Sequence, residues 1–411
     1  MRNLSPQKII TRRFRSVGLI VMLIAMLALI YALVLSMPTR VYEASDFLGY
    51  WASASLLAHR QNPYDQMAVQ SLQQEQGWAG DYPVYSWNPP WLHVFLLPLG
   101  LLPFRPAAAL WFMAGPLLIG ASAILIWDTF APRGRPAHVA LALSATFLFS
   151  RSLHAILEGQ VNTLILLGCA AFIALSFRNR DALAGAALVL TTVKPHVSYL
   201  LVPGALLVSV LRGRWRVISG FLASLFLLVV VATCLFPQWV EAFLRLFDVA
   251  ASPLGTTSYM TPTVRGLLRA GVGLDIGIWP SVVCLAVFLV FLWLRGRELS
   301  LSAIVGVSLI IGLPTAPFGW STDQVVLIIP ILQSVIWSLD LPVPQRRAVA
   351  ASLLLIYAYA ILVWLVSYRD VAFVVVPPMI GLVWGYAYSK ASPGSLTTAR
   401  IRSGRQHPAE D

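Results

Sequence analysis

Four polar islands interrupt an otherwise apolar chain, and each carries groups able to do chemistry. The first runs from Ser45 to Trp51, holds Asp46 and Tyr50, and is followed by Asn62-Pro63-Tyr64-Asp65. The second, Tyr85 to Trp91, holds Asn88 ahead of Pro89-Pro90. The third is Glu158-Gly159-Gln160-Val161-Asn162, continued by Lys194-Pro195-His196, and the fourth, Pro314 to Asp323, holds Trp320 and Asp323. Asp46 is the candidate base: a carboxylate at a membrane edge can take a proton from a hydroxyl, helped by a pKa raised through partial burial. Lys194, beside Pro195, is the first candidate cation to stabilise negative charge, and Arg151 and Arg265 are second. Tyr50, Asp65, Asn88, Glu158, Gln160, Asn162, His196, Trp320 and Asp323 are candidates for holding substrate. Plainer readings stand beside these. Asp46 and Asp65 also suit helix caps, Gln160 and Asn162 suit hydrogen bonds between helices, and most Trp and Tyr suit an interfacial belt.

The elements that must position these groups are membrane helices. The 411 residues are 58% hydrophobic and 11% charged, with mean hydropathy +0.77, whereas soluble domains carry about 25% charged residues. The apolar runs have helical length and are not short alternating strands. The net charge of +12 does not point to nucleic acid, because the cations sit in short clusters between apolar runs, such as Arg212, Arg214 and Arg216. That is the pattern of cytoplasmic loops, with attraction to anionic lipid headgroups as a consequence. Cys169, Cys234 and Cys284 each fall within apolar runs and read as free thiols.

With every basic cluster inside, the trace has about twelve crossings and both termini cytoplasmic. The first span, 17–36, follows Arg2, Lys8, Arg12, Arg13 and Arg15 and reads as retained, not cleaved. Long outer loops cover 37–90 and 237–277. The remaining crossings are 105–127, 137–150, 160–177, 182–194, 196–211, 217–236, 278–294, 299–314, 321–339, 347–366 and 371–389. The segments 137–150 and 182–194 are short for a bilayer, as helices lining a cavity often are. Residues 91–103 read as an outer half-helix. Residues 1–389 form one membrane domain and 390–411 a disordered cytoplasmic tail. This trace brings all four islands to the outer side, the face directed away from the cytoplasm of a plasma (inner) membrane.

No phosphate loop, His-Glu-x-x-His pair or Asp-x-Asp occurs, so neither cofactor nor metal is expected. The ordered set of Asp-Phe, Asn-Pro-Tyr-Asp, Trp-Asn-Pro-Pro with Leu-Pro-Leu-Gly-Leu-Leu-Pro, Gly-Gln-x-Asn, Lys-Pro-His and the late Trp-to-Asp island resembles glycosyltransferase family 87, over roughly residues 44–340. The resemblance implies a GT-C-type membrane fold. It also implies transfer of a hexose, often mannose, from a polyprenyl-phosphate sugar to a lipid or glycan acceptor, with a catalytic carboxylate in the first outer loop at Asp46. The alternative from another class is a polytopic transporter or lipid flippase, for which an inverted repeat is the missing feature.

Overall fold

The computed structural model describes residues 26, 29–37, 45–131, 136–251, 261–367 and 369–391. Most of the expected first span, the N-terminal cations, Arg133, Arg135 and the tail from residue 392 lie outside the described residues. Everything regular among the described residues is helical.

Among the described residues, five helices are long and apolar enough to cross a membrane: Phe104–Phe130, Trp215–Leu235, Ser321–Ser338, Val343–Val366 and Asp370–Lys390. Each falls on a span expected from hydropathy. A sixth is available if His138–Phe147 and Ser150–Leu157 count as one span bent by 64°. The remaining apolar segments form shorter helices, including Asn162–Phe177, Leu201–Leu211, Trp279–Arg295 and Leu301–Thr315. Among the described residues, five or six full-length spans thus stand where the sequence trace has eleven of its twelve crossings, the first lying mostly outside them. Residues 91–103 become the Pro90–Gly100 helix, entered through Pro90 at its first turn, where a missing N–H costs nothing.

The first outer loop differs most from expectation. Residues 47–58 form a helix with eleven of its twelve residues buried. Its apolar character carries almost no periodic stripe, so it reads as a helix surrounded on all sides. It packs on the Pro90–Gly100 helix and, through Phe47 and Trp51, on Phe104.

Close backbone approach holds much of the bundle. Asp181–Val189 crosses Trp215–Leu235 at Gly185 and Gly220. A Cβ on Gly185 would lie 1.9 Å from the Val217 carbonyl oxygen, and one on Gly220 would lie 2.1 Å from that of Ala182. In lipid, helices gain little by hiding apolar surface from one another, and small residues at the crossing give the packing instead. Polar ties add to this: Trp384 Nε1 donates to Gln333 Oε1 at 2.6 Å, and Gln333 Nε2 donates to the Ser302 carbonyl at 2.9 Å. Three helices are thereby joined around Ser321–Ser338, the most enclosed of the five long helices.

Candidate active site

Asp46 precedes the Phe47–Ala58 helix but makes no side-chain cap hydrogen bond to it. Its carboxylate is instead aimed at Gln160, whose Nε2 donates to Oδ2. The backbone is tied at the same place, with Asp46 N–H donating to the Glu158 carbonyl at 3.0 Å. Gly159 makes this junction possible. It adopts φ +60, and a Cβ there would come within 2.9 Å of Phe47 Cβ. A left-handed turn without a side chain suits glycine. Trp111 Nε1 locks it by donating to the Gly159 carbonyl at 2.8 Å.

Gln160 passes the connection on. Its Oε1 accepts from Lys194 Nζ at 2.7 Å and from the Tyr50 hydroxyl at 3.4 Å. Lys194 stands at a break between the 3-10 turn Leu190–Val193 and the short Pro195–Ser198 helix, with φ −129 and ψ 88. Proline disfavours helical geometry in the residue before it, so Lys194 leaves the helical path and its side chain turns inward. Asn88 braces that break, its Nδ2 donating to the Val193 carbonyl at 2.7 Å.

Asp323 completes the group. Oδ1 accepts from Lys194 Nζ at 3.1 Å, while Oδ2 faces His196 Nε2 at 3.3 Å and accepts from the Trp320 N–H at 2.8 Å. Lys194 is 5% exposed and Asp323 1%, so each charge depends on the other. Breaking a buried pair by removing one partner typically costs about 3–5 kcal/mol.

A cavity of about 220 Å³ opens onto Asp46, Tyr50, Asn88, Lys194 and His196, with Trp78, Tyr82, Tyr85, Trp87, Phe318 and Trp320 as its aromatic wall. Asp46 stands outside the candidate spans. It is enclosed by protein while keeping part of its surface on the cavity. Burial raises its pKa from 3.8 to about 6, opposed by the Lys194 charge and the Gln160 hydrogen bond and assisted by Glu158.

The structure therefore brings together Asp46, Tyr50, Asn88, Gln160, Lys194, His196, Trp320 and Asp323. It does not bring in the others. Asp65 caps the Gln66–Glu75 helix by accepting from the Met67 and Ala68 N–H groups, so its carboxylate is occupied by backbone. Glu158 turns its side chain to His154 at 3.4 Å and bears on Asp46 only through its charge. Asn162 is fully buried, and neither of its amide atoms has a hydrogen-bond partner.

The two second-choice arginines are also engaged elsewhere. Arg265 makes a two-pronged pair with Asp275, at 2.7 and 2.9 Å, and donates to the Pro317 carbonyl at 3.3 Å. Arg151 is fully buried, stacked at 4.1 Å over Phe373 and donating to Ser321 Oγ at 3.2 Å. The Ser321 N–H in turn donates to Asp370 at 2.9 Å. Arg151 and Asp370 thus hold the turn that presents Asp323. Sequence reading missed Asp370, although an ionisable residue at the mouth of an apolar span is a functional signal.

A polytopic helical protein whose polar islands close on one cavity, with a carboxylate, an ammonium and an aromatic wall, has the form of a membrane-embedded enzyme for a polar substrate. The chain belongs to glycosyltransferase family 87, whose family model matches residues 87–317, just over half of its length. That stretch contains Asn88, Gln160, Lys194 and His196 but ends short of Trp320 and Asp323 and begins after Asp46 and Tyr50, so it is narrower than the resemblance over 44–340. No curated protein and no solved structure matches the chain.

Proposed function

We propose that this glycosyltransferase moves a hexose, in the first instance mannose, from a polyprenyl-phosphate sugar to a lipid or glycan acceptor at the outer face of the plasma membrane. The reading includes a GT-C-type topology of about twelve crossings with both termini in the cytoplasm. The observation that carries it is the hydrogen-bonded line Asp46–Gln160–Lys194–Asp323 at the cavity.

In this reading Asp46 takes the proton of the acceptor hydroxyl as that oxygen attacks the anomeric carbon. The bond from that carbon to the phosphate oxygen breaks on the opposite face, so the configuration inverts. The departing phosphate needs positive charge and no proton, and Lys194 supplies it. Two of the three ammonium donors are held by Gln160 and Asp323, leaving one to meet the phosphate. Gln160 fixes the spacing of base and cation by holding both. The aromatic wall stacks on the sugar, and the donor's isoprenoid remains in the bilayer.

The test is turnover in native membranes, with lipids and glycans followed by mass spectrometry. Asp46→Asn is expected to abolish the hexosylated product while leaving the protein inserted at normal abundance, and Lys194→Met, which strips buried Asp323 of its ammonium partner, is expected to abolish product and lower stability as well. Unchanged product in Asp46→Asn removes the base assignment. Uptake of a sugar lipid into proteoliposomes without covalent product replaces the enzyme by a transporter.

A further inference from the structure

Most of the aromatic wall at Asp46 comes from one stretch of chain. Trp78, Tyr82, Tyr85 and Trp87 line the cavity from the single segment 78–87. That segment contains no helix or strand. Among the described residues, the backbone of 79–87 makes no hydrogen bond to other backbone. Side chains of the preceding Gln66–Glu75 helix hold it instead. Gln66, Gln70 and Gln73 fall at i, i+4 and i+7, on one face of that helix. Gln66 Oε1 accepts from the Tyr85 hydroxyl at 3.2 Å, and Gln70 Nε2 donates to the Asp81 carbonyl at 3.0 Å.

Gln73 makes the central attachment. Its Nε2 donates to the Val84 carbonyl and its Oε1 accepts from the Val84 N–H, both at 2.8 Å. One amide thus satisfies both backbone groups of one residue, as a paired strand would. Gln73 is fully buried, and without its amide both Val84 groups lose their partner. The Phe47–Ala58 helix comes equally close to Val84: a Cβ on Gly49 would lie 2.5 Å from the Val84 carbonyl oxygen. Glycine there lets the segment come down beside Tyr50 and Asp46. Gln73 stands in the last turn of its helix, about two turns from the cap at Asp65, so fraying at that cap leaves the Val84 bonds in place.

We infer that Gln73 is a positioning residue for the donor sugar: by pinning Val84 it sets the rings of segment 78–87 where they grip the hexose. Gln73 itself does not line the cavity. Tyr85 and Trp87 stand 5.0 Å apart between ring centres, and their apolar faces suit the C–H groups of a pyranose. Loss of Gln73 therefore weakens the hold on the hexose and spares the hold on the phosphate, which falls to Lys194. The inference rests on the transferase reading for naming that hexose as the donor's.

The experiment is equilibrium binding to the full-length protein in nanodiscs, read without turnover. The probes are the farnesyl-phosphate esters of mannose, glucose and galactose. Methyl farnesyl phosphate is the reference, since it keeps the single charge and lacks the sugar. In the wild type at least one sugar ester is expected to bind about tenfold or more tighter than the reference. Gln73→Met keeps the side chain's length and removes both hydrogen bonds. It is expected to bind that ester no more than about threefold tighter than the reference, with Kd of the reference unchanged. Unchanged Kd of the reference reports a folded site, so the selective loss separates positioning from general destabilisation. If Gln73→Met loses the reference as well, half-buried Gln70→Ala decides by the same comparison, its sugar advantage expected to fall about threefold or more. Asp46→Asn is expected to keep the full sugar advantage, which separates failure of this inference from failure of the catalytic reading. No sugar advantage in the wild type, or an advantage untouched in the deciding variant, overturns the inference.

Discussion

The raised pKa of Asp46 makes the pH profile the most demanding test of its role. A base works only when ionised. With the pKa at about 6, the active fraction is about one-half at pH 6, about one-tenth at pH 5 and about nine-tenths at pH 7. Turnover at subsaturating donor and acceptor is thus expected to fall about fivefold between pH 6 and pH 5, to approach tenfold per unit below that, and to level off above pH 7. The position of the limb is set mainly by burial, then by named neighbours. Lys194→Arg keeps a cation and should move the limb little. Gln160→Leu removes a hydrogen bond to the charged form and should move it to higher pH. Glu158→Gln removes a repelling charge and should move it lower.

Stability is linked to the same shift. The folded-state pKa lies above the ordinary 3.8, so the native state holds the proton more tightly than the unfolded chain does. Stability is then highest below about pH 3.8 and declines as pH rises through about 6, with the full penalty present at neutrality. Two units correspond to roughly 3 kcal/mol at most. Asp46→Asn is therefore expected to be inactive and more heat-stable at pH 7, with the gain fading toward pH 4. The assay is turnover from pH 4.5 to 8.5 in mixed buffers at constant ionic strength, with thermal unfolding of the same samples. A limb that stays in place in both Gln160→Leu and Glu158→Gln, or an Asp46→Asn variant no more stable than wild type at pH 7, refutes the reasoning.

Three other outcomes follow from the geometry. Arg151→Leu loosens the turn presenting Asp323 and should cut kcat by about 10–100-fold with little change in donor KM, whereas Arg265→Leu should keep most activity; equal losses in steady-state kinetics would contradict this. Gly185→Val or Gly220→Val forces apart two helices in backbone contact, at about 1–3 kcal/mol or more, read as a lower unfolding temperature in detergent, and an unchanged temperature would deny the crossing. Asp65→Ala removes a cap worth about 1 kcal/mol and should lower stability without altering turnover; a loss of turnover at normal stability would return Asp65 to the site.

The long spans were legible because their hydropathy is unambiguous, and all five fall where the pattern puts them. The convergence of Asp46, Gln160, Lys194 and Asp323 was legible for a different reason: a trace that keeps every basic cluster inside expects all four islands on one side, and the structure brings these four residues together. Three features were hidden. The buried Phe47–Ala58 helix sits within a polar, aromatic-rich stretch and is too short for a span. The bend between Phe147 and Ser150 has no proline to mark it. Arg151 and Arg265 have the right charge for a phosphate, but sequence cannot show that Phe373, Ser321 and Asp275 already occupy them.

The ion pair of Lys194 with Asp323 spans 129 residues of chain, and that separation has a consequence for biogenesis. At about 5–20 residues per second, a ribosome delivers the lysine roughly 6–26 s before its final counter-ion exists. During that interval the lysine lacks its partner, so the Asp46–Gln160–Lys194–Asp323 line can close only after the segment bearing Asp323 has been made.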